Sequence, residues 1–165
     1  MRVLGIDPGT AICGFGVVER NGSRLQVIDY GVLTTPAHTP MPDRLTTLYQ
    51  GLVDLIEKYQ PDRVGVEELF FNKNVTTAIT VAQARGVILL AARLAGLQVS
   101  EYTPLQVKQG IVGYGRATKH QMIVMTMRLL GIREKISPDD AADALAIAIC
   151  TLLQERQAER WGLPK

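Results

Sequence analysis

Val3-Leu4-Gly5-Ile6-Asp7-Pro8-Gly9-Thr10 opens the chain with a short apolar strand, Val3 to Ile6, that ends in an Asp-Pro-Gly turn. Outward from it, Gly14-Phe15-Gly16-Val17-Val18 reads as a second strand. Asn21-Gly22 is a two-residue hairpin signal, because both residues accept the positive φ that such a turn needs. Leu25 to Leu33 reads as a third strand, so the first third of the chain is predicted to be an antiparallel meander. Thr34 to Pro42 holds three prolines and reads as a loop. Arg44 to Tyr59 places Leu45, Leu48, Leu52, Leu55 and Ile56 at helical spacing, and Pro61-Asp62 ends it. A fourth strand follows at Arg63 to Val66, then a long helix at Val75 to Leu94 closed near Gly96, then a fifth strand at Gln98 to Tyr102. The rest is helical: Pro104 to Val112, Thr118 to Leu130, and a last helix opened by Ser137-Pro138 and running to about Gln157, with Gly113 to Arg116 as a flexible basic loop. This order predicts an α/β protein with a mixed five-stranded sheet and helices on both faces.

The chain has 165 residues, 47% of them hydrophobic, enough for one core without disulfide staples. A single domain is expected over 1–158, with 159–165 a flexible tail. Cys13 and Cys150 lack metal-ligand spacing and read as buried reduced thiols, which favours a cytoplasmic location. No signal peptide is read at the start, and no stretch is read as long and clean enough to span a bilayer. The net charge of +2 hides an asymmetry. Phe71 to Arg133 holds eight Lys and Arg against the single acid Glu101, so it carries +7 and the remainder −5. Such a segment is either a solvated face or a basic surface for an anionic polymer.

Four acids stand out. Asp7 ends a strand, where open α/β sheets bind ligands, although the turn alone would also explain it. Glu67 and Glu68 follow Val64-Gly65-Val66, and alternation allows at most one of them to face Asp7. In the last helix Ser137 is read as N-cap and Pro138 as the first residue, and Asp139 and Asp140 suit the positive helix end. Asp143 differs, because it interrupts an otherwise apolar run from Ala141 to Cys150 with no cation within its turn. A buried carboxylate is costly unless paired or bound to metal. Asp140 and Asp143 share a helix face at i and i+3, and Asp139 is the competitor. Converging carboxylates repel unless cations sit among them, and all-oxygen ligands select Mg²⁺ or Mn²⁺. Two such ions roughly 4 Å apart form a clamp for in-line phosphodiester attack.

The ordered set Gly5-Ile6-Asp7-Pro8-Gly9-Thr10, Val66-Glu67-Glu68-Leu69-Phe70, Gln83-Ala84-Arg85-Gly86, Gln106-Val107-Lys108-Gln109 and Asp140 to Ala148 resembles the RuvC family of bacterial Holliday junction resolvases. The resemblance covers nearly the whole chain. It implies a ribonuclease H-like fold, a homodimer, and two Mg²⁺ per site (Mn²⁺ able to substitute). It further implies paired nicking of four-way DNA junctions in recombination and repair, together with a branch-migration complex of the RuvA and RuvB type. By motif, Asp7, Glu67, Asp140 and Asp143 correspond to the catalytic and metal-holding acids. Lys108 and Lys119 match lysines that handle DNA, and Phe70 an aromatic at the junction centre. Lys73, Arg85 and Arg116 are added as DNA contacts from the basic segment. The residues alone leave Phe70 open as a core aromatic, and Lys108 and Lys119 as solvated lysines. His38 and His120 are read as surface residues, and Ala82 to Leu94 as core or dimer contact. Three rival readings are an actin-like or sugar-kinase-like ATPase built on Asp7 to Thr10, a junction-binding module without catalysis, and a related nuclease for RNA or transposon ends.

Overall fold

The computed structural model describes residues 1–68 and 75–162, so Phe70 and Lys73 lie outside the described residues. Strands β1 (Arg2–Asp7), β2 (Ile12–Asn21) and β3 (Arg24–Thr34) form the predicted meander. Helix α1 (Met41–Tyr59), strand β4 (Arg63–Glu67), helix α2 (Val75–Leu94) and strand β5 (Gln98–Tyr102) follow. Helices α3 (Pro104–Val112), α4 (Lys119–Leu130) and α5 (Asp139–Trp161) complete the chain. The sheet order is β3-β2-β1-β4-β5, with β4 and β5 parallel to β1 and the other pairs antiparallel. This is the predicted mixed five-stranded sheet.

Alternation along β1 divides the core in two. Leu4 and Ile6 join Val17, Val64 and Val66 under α1 and α2. Val3, Val18 and the apolar residues of α5 pack on the other face with α3 and α4. The contact that sets the geometry is between α5 and the sheet. Gly16, Gly5 and Gly65 are paired side by side across β2, β1 and β4. A β-carbon on Gly16 would overlap Leu145, one on Gly5 the backbone of Ala144 and Ala148, and one on Gly65 the Thr151 hydroxyl. The bare row lets α5 lie against the strands with no side-chain layer between. At its far end α5 is tied down by Arg63–Glu155 at 3.1 Å and Arg20–Glu159 at 2.8 Å.

Several boundaries differ from expectation. Helix α1 starts at Met41, inside the segment read as a loop, because Pro42 falls in the first turn, where a missing N–H costs nothing. The N-cap of α5 is Pro138 and not Ser137, the helix begins at Asp139, and it continues through Trp161 beyond the expected end near Gln157. Thr118 caps α4 through a reciprocal pair of hydrogen bonds with Gln121. The bilayer expectation is also corrected: Thr77–Leu94 of α2 is long and apolar enough, by length and composition, to cross a membrane, with a mean hydropathy of 1.3. It carries Arg85 and Arg93, and Ala84, Ile88, Ala91 and Ala92 are buried in the core under the sheet.

Candidate active site

The strand register places the acids. Val3, Gly5 and Asp7 alternate onto the α5 face of β1, and Arg63, Gly65 and Glu67 onto the α5 face of β4. Ile6 is paired with Val66, so Asp7 and Glu67 come next, side by side, at the end of adjacent strands. Across the other edge of β1, Asp7 is paired with Gly14, and Gly14 abuts the backbone of Asp140 at the start of α5. The bare strand thus brings the first turns of α5 directly over the end of the sheet. Glu68 turns away from this face, and its backbone N–H donates to the Tyr102 carbonyl at 2.8 Å.

The charges of Glu67, Asp143 and Asp140 all act on Asp7. Burial, then Glu67, Asp143 and Asp140, push the Asp7 carboxyl up to about 8, against a small opposing effect of Lys119. Burial and Asp143 raise Glu67 to about 7, opposed by Lys108 and Lys119. Asp143 is also raised, by burial first, while Lys119 holds it down. Asp140 acts on Asp7, whereas Asp139 does not figure among the charges that shift it. The cluster holds more negative charge than its own lysines neutralise.

Asp143 is half-buried, and it does have a cation. Lys119 of α4 places Nζ 3.4 Å from Asp143 and 3.3 Å from Asp139. The partner comes from another helix, 24 residues earlier in the chain and outside the turn that holds Asp143. Lys108, Lys119, Glu67 and Asp143 line one cavity of about 240 Å³. Among the described residues no three acids stand close enough together to form a ready-made ion cage. The donor chemistry nevertheless fits a hard divalent cation: the groups are oxygens only, and burial together with neighbouring carboxylates raises Asp7 and Glu67, an effect that added positive charge would relieve.

The basic residues separate into two kinds. Lys108 and Lys119 stand beside the acids, and Arg116 is exposed on the loop between α3 and α4. Arg85 is committed inside the fold, paired with Glu101 and donating from Nε to the Glu67 carbonyl at 3.2 Å. It steadies the strand end that carries Glu67. A larger concavity, about 670 Å³ and lined by Arg20, Arg24, Arg128 and Arg156, lies at the opposite end of the sheet and takes no part in this site. Cys13 and Cys150 are buried free thiols, each pushed up to about 12 by burial.

Arg44 escaped the sequence reading because it lies outside the basic segment. Its Nε donates to Thr35 Oγ1 at 2.8 Å, and Thr35 Oγ1 donates to the Thr10 carbonyl at 2.7 Å. Thr10 Oγ1 in turn donates to the Thr80 carbonyl at 2.8 Å. These bonds lash the turn after Asp7 to α1 and α2.

Comparison with known proteins gives consistent results. Residues 3–151 match the family model described as crossover junction endodeoxyribonuclease RuvC. The chain is 61% identical over 150 residues to the crossover junction endodeoxyribonuclease RuvC of Desulfitobacterium hafniense, covering 91% of each. It is 58% identical over 163 residues to that of Rubrobacter xylanophilus, covering 99% of this chain and 91% of the relative. Among solved structures it is similar to T. thermophilus RuvC in complex with Holliday junction substrate, with a TM-score of 0.90, 34% identity and 96% of each chain covered. A yeast mitochondrial Holliday junction resolvase shares the fold, with a TM-score of 0.70 at 15% identity over 96% of this chain and 82% of that one.

Proposed function

The chain belongs to the RuvC family of crossover junction endodeoxyribonucleases, and from that premise we propose that it is a Mg²⁺-dependent resolvase cutting four-way DNA junctions by symmetric paired nicks, in recombination and repair. The observation that carries the reading is the convergence of Asp7, Glu67, Asp140 and Asp143 at one end of the sheet beside Lys108 and Lys119. The T. thermophilus relative was solved on a Holliday junction, and its likeness spans this whole fold.

Asp7, Glu67, Asp140 and Asp143 are the residues that would hold Mg²⁺, two ions per site, with Mn²⁺ able to substitute. The metal would supply activation of the attacking water and stabilisation of the leaving 3′ oxygen. The chain's own residues do the rest. The sheet end and α5 fix the spacing of the four carboxylates. Lys108 and Lys119 offset their repulsion and draw the phosphodiester toward an otherwise anionic site. Exposed Arg116 extends the basic surface along the DNA.

Paired nicking calls for two sites related by symmetry. Helix α2 offers the surface: Ile79, Leu90 and Leu94 are 54, 55 and 67% exposed, and their spacing puts them on one stripe. A second copy would cover that stripe isologously and set two sites on opposite arms of the junction. A RuvA and RuvB type branch-migration complex is the expected partner assembly in the cytoplasm.

The test is a four-way junction labelled on each strand in turn, with and without Mg²⁺, against a linear duplex of the same sequence. Symmetric nicks that a ligase can seal, requiring both junction and metal, are expected. Equal cutting of duplex or RNA would overturn the substrate. Binding without cutting in either Mg²⁺ or Mn²⁺ would overturn the activity.

A further inference from the structure

On the α1 and α2 side of the acidic edge lies a second pocket, of about 360 Å³. Gly9, Thr10 and Ile12 form one wall, two to five residues beyond Asp7, and Arg44, Thr77 and Thr80 form the others. Among the described residues no carboxylate lines it, and its one charged group is Arg44, whose Nε and Nη atoms are held differently. Nε is consumed by Thr35, itself buried and bonded to the loop. Among the described residues the two Nη groups make no hydrogen bond or ion pair. The guanidinium is thus fixed by its stem side, with its outward fork left for a ligand.

We propose that this pocket is a phosphate subsite, in which Arg44 grips a backbone phosphate of the cleaved strand beside the one that is cut. The inference rests on the resolvase reading and deepens it. A planar fork with two free Nη groups matches a pair of phosphate oxygens, and the Thr77 hydroxyl on the wall can donate to the same ligand, the Thr10 and Thr80 hydroxyls being spent on the Thr80 and Thr77 carbonyls. The position matters as much as the chemistry. The loop from Gly9 to Ile12 continues directly from Asp7, so a phosphate held there lies one step along the strand from the acids. The chain of bonds from Arg44 through Thr35 and Thr10 to Thr80 makes the grip rigid relative to Asp7. Positive charge on this side complements Lys108 and Lys119 on the other, so the strand would be held on both sides of the scissile bond.

The experiment combines Arg44→Gln and Arg44→Lys with junctions carrying one neutral methylphosphonate at successive positions around the cut. Binding is read by fluorescence anisotropy in EDTA at several salt concentrations, cleavage with Mg²⁺, and folding by thermal melting. Arg44→Gln is expected to weaken junction binding about tenfold and make its salt dependence shallower by about one ion, with Arg44→Lys recovering part of the loss. At one position flanking the cut, the methylphosphonate should weaken the wild type as much as Arg44→Gln does, and add nothing further in that variant. Additive penalties at every position, with a wild type that cuts, would overturn the subsite alone. So would a variant that melts earlier yet keeps its affinity and salt slope, since Arg44 would then be only a clamp for the loop. A wild type that neither binds nor cuts junctions would overturn the resolvase reading, and the subsite with it.

Discussion

Lys119 on α4 sets its ammonium 3.4 Å from the Asp143 carboxylate on α5. Two helices therefore meet at the site through opposite charges, and the lysine keeps Asp143 lower than burial alone would put it. Replacing Lys119 by Met removes that restraint and raises the Asp143 carboxyl further. Cleavage at pH 7 should fall by about tenfold and recover in part as pH rises, as the acid is forced to ionise. A pH–rate profile whose rising limb stays where it was would remove Lys119 from the acid's environment.

Asp7 and Glu67 predict an unusual pH dependence of stability. Their folded pKa values, about 8 and about 7, lie above those of the unfolded chain. The unfolded chain then releases these protons first, so the metal-free protein should lose stability as pH rises from about 4 to about 8. Asp7→Asn takes its part of the penalty away. In EDTA at pH 8 its Tm should exceed the wild type's by about 3 °C or more. Added Mg²⁺ should stabilise the wild type and leave the variant nearly unmoved. Thermal melts across the pH range would decide, and a metal-free wild type most stable at pH 8 would contradict the charge crowding.

Much of this was legible in the chain. Asp7 and Glu67 sit where apolar strands stop, and alternation alone assigns faces once the strands are known. Asp143 stood out as a charge in an apolar helix. The remainder depends on residues distant in sequence that meet only after folding. Nothing near Asp143 announces Lys119, 24 positions earlier, and nothing around Arg44 announces Thr35 or Thr10. Arg85 is the converse: a cation in a basic stretch reads as surface, yet Glu101, the only acid of that stretch, captures it. Pro42 reads as loop because a proline near a helix start and a proline in a loop look alike without the register.

Lys108 lines the cavity beside Glu67 without an ion-pair partner among the described residues. Lys108→Ala should weaken junction binding uniformly across sequences and reduce the salt slope by about one. Titrations at four or more salt concentrations measure it, and an unchanged slope would place the lysine off the DNA.

Leu90 stands 55% exposed on the apolar stripe of α2. Leu90→Glu should leave the monomer fold intact and shift sedimentation from dimer to monomer by about tenfold or more in dissociation constant. Junctions should then show single uncoordinated nicks. A dimer that persists would move the interface elsewhere.

Gly5→Ala adds one carbon and no charge. That carbon overlaps the backbone of Ala144 and Ala148, so α5 must lift from the sheet at a cost of about 1–3 kcal/mol. Cleavage should fall more than junction affinity, because Lys108 and Lys119, the lysines proposed to grip phosphate, lie on α3 and α4. Thermal melts together with kcat and KM check this, and equal losses in both would argue against it.

The glycine row has a meaning beyond packing. Because Gly16, Gly5 and Gly65 leave no cushion of side chains, the distance between the strand acids and the helix acids is dictated by bare main chain meeting bare main chain. The fold carries a gauge block under its reactive groups, ground to a thickness that no rotamer can adjust. A substitution there would register in a genetic screen as a loss of chemistry, although it changes no acid, no base and no contact with the substrate.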